Sequence, residues 1–145
     1  MKNLMVFLLI GTFLLSISSC SDDENPIANV ELEGTLWTGT GYVATGCDDP
    51  NDNDNSPNYT CTETDCETLY LENGTVTIIE IRGDVIETIT ASYTLSGNVV
   101  TVTIEENGQT VTFDINYTIV GDVLTLNFTF PLDGCDVIQT YKAAE

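Results

Sequence analysis

The feature that most constrains the fold is a period-two alternation of apolar and polar residues along the second half of the chain. Residues 110–119 alternate without a break, with polar side chains between Val111, Phe113, Ile115, Tyr117 and Ile119. The same alternation recurs in residues 88–95, 100–104 and 123–130. This period is typical of β-strands with one buried face and one face in water. The pattern therefore predicts an all-β fold.

Turn signals separate these segments and set the number of strands. They are Asn73-Gly74, Gly83-Asp84, Gly97-Asn98, Asn107-Gly108 and Gly121-Asp122, and such dipeptides supply the positive φ angles that short hairpins need. We predict eight antiparallel strands, at 36–46, 67–73, 75–82, 85–95, 98–105, 109–119, 122–130 and 136–142. Because closure removes exposed sheet edges, the expected architecture is an eight-stranded antiparallel up-and-down barrel. A two-sheet β-sandwich is the alternative.

The N-terminal segment predicts export and a lipid anchor. Lys2 precedes an apolar stretch, residues 4–15, that is too short to span a bilayer as a permanent helix. The residues that follow, Ile17-Ser18-Ser19-Cys20, resemble the lipobox of bacterial lipoproteins. The resemblance implies cleavage before Cys20 and acylation, including palmitate, at that residue, and two or more acyl chains give stable anchoring. A plain secretory signal is the alternative.

This resemblance sets the expected domain organisation and location. We expect a signal peptide at 1–19, a lipidated cysteine and acidic tether at 20–33, and one barrel domain at 34–145. Residues 21–24, Ser-Asp-Asp-Glu, also resemble a surface-export signal of Gram-negative lipoproteins. The expected location is therefore the outer membrane, at the cell surface or on the periplasmic face.

The charge and the missing histidine restrict the function classes. The chain has 23 acidic and 3 basic residues, a formal net charge of −20 and no histidine. Such a charge repels phosphate, so a nucleic-acid partner is not expected, and contact with the bilayer must come through the acylated Cys20. Histidine-based triads and histidine metal sites are excluded. The strand pattern pairs no inward-facing acid with another, so we expect no enzymatic activity.

Four cysteines remain besides Cys20, and in an exported protein an even set predicts disulfides. Spacing alone allows three pairings, and a cysteine-only zinc site is the competing interpretation. If the barrel closes, the end of the first strand adjoins the start of the last. We therefore predict disulfides Cys47–Cys135 and Cys61–Cys66.

The longest connection, residues 47–66, is rich in acids and asparagines. Part of it matches positions 1, 3, 5, 7, 9 and 12 of an EF-hand-like calcium loop, with Asp52, Asp54, Ser56, Asn58, Thr60 and Glu63 in those positions. Pro57 stands where the sharp turn needs glycine, and the same residue types form ordinary solvated loops. A Ca²⁺ site here is a hypothesis, and no other cofactor is expected.

Short motifs give the chain a family resemblance over residues 34–142. Gly34-Thr35-Leu36-Trp37 opens the first strand, the phrases at 93–98 and 117–122 each begin with tyrosine and end in a turn, and Tyr141-Lys142 ends the last strand. With these motifs the chain resembles a small lipocalin-like domain of a bacterial lipoprotein. The resemblance implies that Trp37 closes the barrel floor with Lys142 as a cation over it. It also implies that the loop 47–66 lies over the open mouth.

The function implied is noncatalytic binding of a small apolar molecule inside the barrel. The strand parity predicts its lining as Ile89, Tyr93, Val102, Phe113, Ile115, Tyr117, Leu126 and Phe128. The alternative is a solid core in a structural or adhesive surface module that presents its acidic loops to a partner or to Ca²⁺.

Overall fold

The computed structural model describes residues 30–106 and 108–144, so the expected signal peptide and Cys20 lie outside the described residues. Between Leu36 and Ala143 the described chain forms nine strands and one 3₁₀ turn, Pro50–Asp52. The strands are β1 (Leu36–Thr45), β2 (Asp54–Ser56), β3 (Asp65–Glu72), β4 (Thr75–Arg82), β5 (Val85–Ser96), β6 (Val99–Glu106), β7 (Gln109–Val120), β8 (Val123–Thr129) and β9 (Asp136–Ala143).

Eight of these strands form a closed antiparallel barrel. The order in the sheet is β2-β1-β3-β4-β5-β6-β7-β8-β9, and a further pairing of β1 with β9 closes the ring. The predicted barrel is confirmed and the sandwich alternative is excluded. The eight predicted strands are all present, with small shifts at their ends. The additional strand, β2, lies within the long loop and pairs with β1.

The hairpins place the connections alternately at the two ends of the barrel. The mouth end carries the connections β1–β3, β4–β5, β6–β7 and β8–β9, and the closed end carries the other three. At the β3–β4 turn, Asn73 (φ 52°) and Gly74 (φ 78°) are both left-handed, as a two-residue type I′ hairpin requires.

Residues 30–35 cross the closed end and fill it. The Trp37 indole N–H donates a hydrogen bond to the Leu32 carbonyl oxygen at 3.1 Å, and the Gly34 amide donates to the Leu71 carbonyl oxygen at 2.9 Å. Trp37, Tyr141 and Leu124 are the largest fully buried side chains. The main hydrophobic core therefore lies in the closed half of the barrel, beneath the mouth.

A second, smaller buried cluster holds the β1–β9 seam at the mouth. It consists of Ala44, Cys47, Cys135 and Val137. Cys47 forms a disulfide with Cys135. Cys61 forms one with Cys66 inside the long connection. These are the two pairings that barrel closure predicts, and they leave none of the four cysteines for a zinc site.

The barrel wall is interrupted between β1 and β3, and the long loop covers the gap. The two strands pair over three residues only, from Leu36↔Tyr70 to Thr38↔Thr68. After a register shift between Gly39 and Gly41, β1 pairs on this side with β2 instead. The Tyr59 amide donates to the Thr40 carbonyl oxygen at 2.9 Å, which holds the loop against β1.

A second interruption, between β5 and β6, is left uncovered by the described elements. These strands pair from Ser92↔Thr103 to Ser96↔Val99, whereas β5 pairs with β4 along residues 85–92. Residues 85–90 are consequently exposed on both faces of the strand, and the Ile86 side chain is 68% exposed. We call this opening in the wall, between residues 85–91 of β5 and the mouth end of β6, the lateral cleft.

Candidate ligand-binding cavity

The barrel encloses a cavity of about 970 Å³ that extends from the closed-end core to the mouth. This volume is at the upper end of the range typical of small-molecule sites. Its deep part is apolar, since inward-facing residues of β3, β4, β6, β7 and β8 line it: Leu69, Leu71, Val76, Ile78, Val100, Val102, Ile115 and Leu126.

Three phenylalanines form the wall of the cavity near the mouth. The ring centroids of Phe113 and Phe128 are 5.7 Å apart, and Phe130 meets Phe113 edge-on at 5.5 Å. All three rings line the cavity and remain partly accessible. They therefore present apolar surface to the cavity instead of filling it.

Six of the eight side chains predicted to line the interior do so: Ile89, Val102, Phe113, Ile115, Leu126 and Phe128. The prediction is wrong for Tyr93 and Tyr117, which face inward but lie in the packed core below the cavity. The Tyr93 hydroxyl donates to a Glu33 carboxylate oxygen, and the Tyr117 hydroxyl donates to the Gly97 carbonyl oxygen. Strand parity gives the face of a residue but not its depth.

A partly buried carboxylate interrupts the apolar lining at mid-depth. Glu67 of β3 accepts a hydrogen bond from the hydroxyl of Tyr141, which is 1% exposed. Burial raises the pKa of Glu67, and the Glu80 carboxylate raises it further, while the Tyr141 hydrogen bond and the Arg82 guanidinium lower it. The net effect is a raised pKa, because desolvation disfavours the charged form more than these two groups stabilise it.

Glu67 has no cationic partner among the described residues. The guanidinium of Arg82 instead pairs with Glu80, with Nε 3.1 Å from the carboxylate oxygen. The other ion pair of the described residues joins Lys142 to Asp122, outside the barrel. Glu67 and Glu80 lie directly opposite each other on β3 and β4, both facing inward. The expectation that no two inward acids are paired is therefore wrong.

Gly39 makes room for this arrangement. It pairs with Tyr141 across the β1–β9 seam, and a Cβ atom at Gly39 would overlap the Tyr59 hydroxyl. Burial, with the nearby Glu67 carboxylate as the next cause, raises the pKa of Tyr59 to about 12. Two neutral phenols, Tyr59 and Tyr141, therefore lie beside the Glu67 carboxylate at neutral pH.

The polar part of the cavity is strongly acidic. Seven acidic residues and one arginine line it: Asp52, Asp54, Asp65, Glu67, Glu80, Glu105, Asp133 and Arg82. Glu67 and Glu80 face each other at mid-depth, and the other acids lie toward the mouth. Charges of one sign along a cleft with apolar walls focus the electric field and raise the local concentration of counter-ions. The cavity therefore favours entry of cations and disfavours entry of anions.

The residues of the proposed calcium loop are dispersed. Asp52 belongs to the 3₁₀ turn and Asp54 and Ser56 to β2, where the Ser56 hydroxyl donates to the Asp54 carboxylate at 2.8 Å. Asn58 and Glu63 lie outside regular structure, farther along the loop. Within residues 30–106 and 108–144, no group of three or more acidic or cysteine side chains is arranged to hold a metal ion. Calcium binding by this loop stays a prediction.

Lys142 does not lie over Trp37, as the family resemblance had implied. Trp37 does close the barrel floor, but it is covered by the 30–35 segment and not by a cation. Because Tyr141 faces inward, its neighbour Lys142 faces outward, and its ammonium lies 3.3 Å from the Asp122 carboxylate on the surface.

The sequence reasoning missed Glu67, Glu80 and Tyr141, although a signal for the first two was present. Glu67 shares its parity with Leu69 and Leu71, which places it on the inner face. A two-residue turn at Asn73-Gly74 then fixes the register and sets Glu67 opposite Glu80. Nothing in the local pattern indicates that Tyr141, from the far end of the chain, completes the site.

Comparison with family models, with curated proteins and with solved structures gives no match to this chain. In the part of the chain that the structure describes, no helix has the length and apolar character needed to cross a membrane.

Proposed function

We propose that the protein is a membrane-anchored lipoprotein whose barrel binds a small, largely apolar molecule without transforming it chemically. The observation that carries the proposal is the cavity itself. A barrel of eight strands is small enough for side chains to fill completely, yet about 970 Å³ is left open here, with an apolar floor and a polar mouth.

The position of residues 30–35, at the start of the described residues, supports this role. The segment 30–35 crosses the closed end, where the Gly34 amide bonds to Leu71. An anchor at Cys20 would therefore attach to the closed end of the barrel, and the mouth would face away from the membrane. This orientation suits a protein that takes its ligand from the surrounding medium.

The anchor is tested by labelling cells of a Gram-negative host with an alkyne analogue of palmitate. The full chain is expected to incorporate the label and to sediment with the outer membrane. Cys20→Ala should abolish both the incorporation and the sedimentation. Labelling that persists in this variant would contradict the proposed lipoprotein assignment.

The cavity is tested with 1-octanol as a neutral apolar probe. The full chain is reconstituted in phosphatidylcholine nanodiscs, and calorimetric titration is corrected with empty nanodiscs. We expect saturable binding that Ile89→Trp weakens by at least about tenfold, because the indole occupies part of the cavity that Ile89 lines.

The matched control is Ile138→Trp. Ile138 and Ile89 are both 44% exposed, but Ile138 lies on the outer face of β9, between Val137 and Gln139, which line the cavity. The control should bind octanol like the parent protein. If the parent shows no saturable heat, or if both variants weaken binding equally, the proposal is overturned.

A further inference from the structure

From the contacts of Glu67 we infer that the ligand carries one cationic nitrogen, an ammonium or related group, on an apolar body, and that this nitrogen binds at Glu67 in the middle of the cavity. The inference rests on the proposed function, because it assigns the ligand class of the same cavity.

Glu67 has no oppositely charged partner among the described residues. Its side chain is partly buried, and the hydrogen bond from Tyr141 is the one side-chain partner that the described residues give it. A partly buried carboxylate with a single neutral partner loses part of its hydration without full compensation. A cation in the cavity would supply the missing partner, and hydrogen bonds between ionised groups are about twice as strong as neutral ones.

The described residues do not supply this cation themselves. Arg82 also lines the cavity, but it is engaged with Glu80, and its side chain is 77% exposed toward solvent. The neighbouring hydroxyl groups, of Tyr59 and Tyr141, are neutral because burial raises the pKa of each. The position beside Glu67 is thus open to a positive group from the ligand.

The cavity has space for the apolar body of a ligand whose nitrogen is at Glu67. On β3, Leu69 and Leu71 follow Glu67 on the same face and line the deep part of the cavity. Facing them across the interior are Val102, Ile115 and Leu126. A ligand with its cation at Glu67 can therefore bury an apolar chain below this point, toward the closed end.

The experiment compares three probes that share one apolar chain: octylammonium, 1-octanol and octanoate. Each is titrated into the full chain in phosphatidylcholine nanodiscs, with empty nanodiscs as the blank. We expect octylammonium to bind at least about tenfold more tightly than octanol, and octanoate to bind more weakly than octanol. Glu67→Gln should bring octylammonium to within about twofold of octanol and leave octanol binding nearly unchanged.

The matched control is Glu105→Gln, which removes the same charge from another residue that lines the cavity. If the preference for octylammonium depended only on the general negative field, both variants would lose it to a similar degree. We expect Glu105→Gln to retain most of the preference. Circular dichroism and octanol binding report whether Glu67→Gln keeps its fold and its cavity.

The outcomes separate the two proposals. If no probe binds, the apolar-ligand function itself fails. If octanol binds as tightly as octylammonium, or if Glu67→Gln keeps the preference, the cavity binds apolar ligands but the assignment of a cationic nitrogen to Glu67 is wrong.

Discussion

Removing the Cys47–Cys135 disulfide should destabilise the protein far more than removing Cys61–Cys66. The cysteines of the first bridge are 88 residues apart in the sequence, and those of the second are 5 apart. In the chain-entropy description, a disulfide stabilises the fold by restricting the unfolded chain, and the effect grows with the logarithm of the loop length.

The sequence separation of each cysteine pair gives the expected contribution of that disulfide to the free energy of unfolding. A loop closed over 88 residues corresponds to about 4.6 kcal/mol at 25 °C, and one over 5 residues to about 2.1 kcal/mol. The difference, about 2.5 kcal/mol, depends only on the ratio of the loop lengths. Burial acts in the same direction, because Cys47 and Cys135 belong to the packed cluster at the seam.

The assay is urea unfolding of the full chain and of the two double variants, Cys47→Ala with Cys135→Ala and Cys61→Ala with Cys66→Ala. The first should unfold at a clearly lower urea concentration than the second, with both below the parent. Equal midpoints with equal slopes, or a larger loss for the short bridge, would refute the reasoning. A change of slope would instead show that the unfolded chain differs in compactness.

Two further predictions concern groups that the structure places in unusual surroundings. Because the folded pKa of Glu67 is raised, the folded state binds more protons than the unfolded state between the ordinary carboxyl pKa, about 4.3, and the raised value. The parent therefore loses stability as pH rises through that window. Glu67→Gln lacks this titrating group, so its free energy of unfolding minus that of the parent should rise over the same window. Urea unfolding from about pH 4 to about pH 7 checks the sign, and a difference that falls with pH would contradict it. At the lateral cleft, the amides of Ile86, Thr88 and Thr90 point toward β6 without a strand partner, so hydrogen exchange measured by NMR should be faster for them than for the odd-numbered amides of residues 85–91, which face β4. Equal protection of the two sets would show that the cleft is closed in solution.

The pH dependence of Glu67 involves several neighbours that also carry charge or titrate. They approach it from β1, the long loop, β4 and β9, and comprise Tyr42, Tyr59, Glu80, Arg82 and Tyr141. The tyrosines titrate far above the pH window, and Arg82 stays charged throughout it. Glu80 is the other carboxylate of this set, so Glu80→Gln is the appropriate background in which to repeat the measurement.

The architecture could be predicted from the sequence because it depends on local signals that repeat. Parity fixes the inner face of each strand, as in residues 110–119, and two-residue turns such as Asn73-Gly74 fix the register between neighbours. Closure then follows from the cost of open edges. The disulfide Cys47–Cys135 could be predicted for the same reason, since closure alone brings the two ends of the seam together.

The depth of each side chain could not be predicted in this way. Tyr93 has the parity of Ile89 but lies below the cavity, because the strands tilt and the segment 30–35 fills the closed end. The meeting of Glu67 with Tyr141 joins residues 74 apart in sequence. It depends on the stagger of the whole barrel and on the missing side chain of Gly39, which no local pattern encodes.

The position of Glu67 separates the selectivity of the cavity from the net charge of the protein. A formal charge of −20 attracts cations of every kind, but in physiological salt the field of exposed carboxylates is screened within about 8 Å. Glu67 lines the cavity and is partly buried, so salt screens its charge less than it screens the exposed carboxylates. Surface acids can therefore raise the rate at which cations of any shape arrive. The proposed pairing with Glu67 additionally requires a ligand whose apolar body fills the space beneath it.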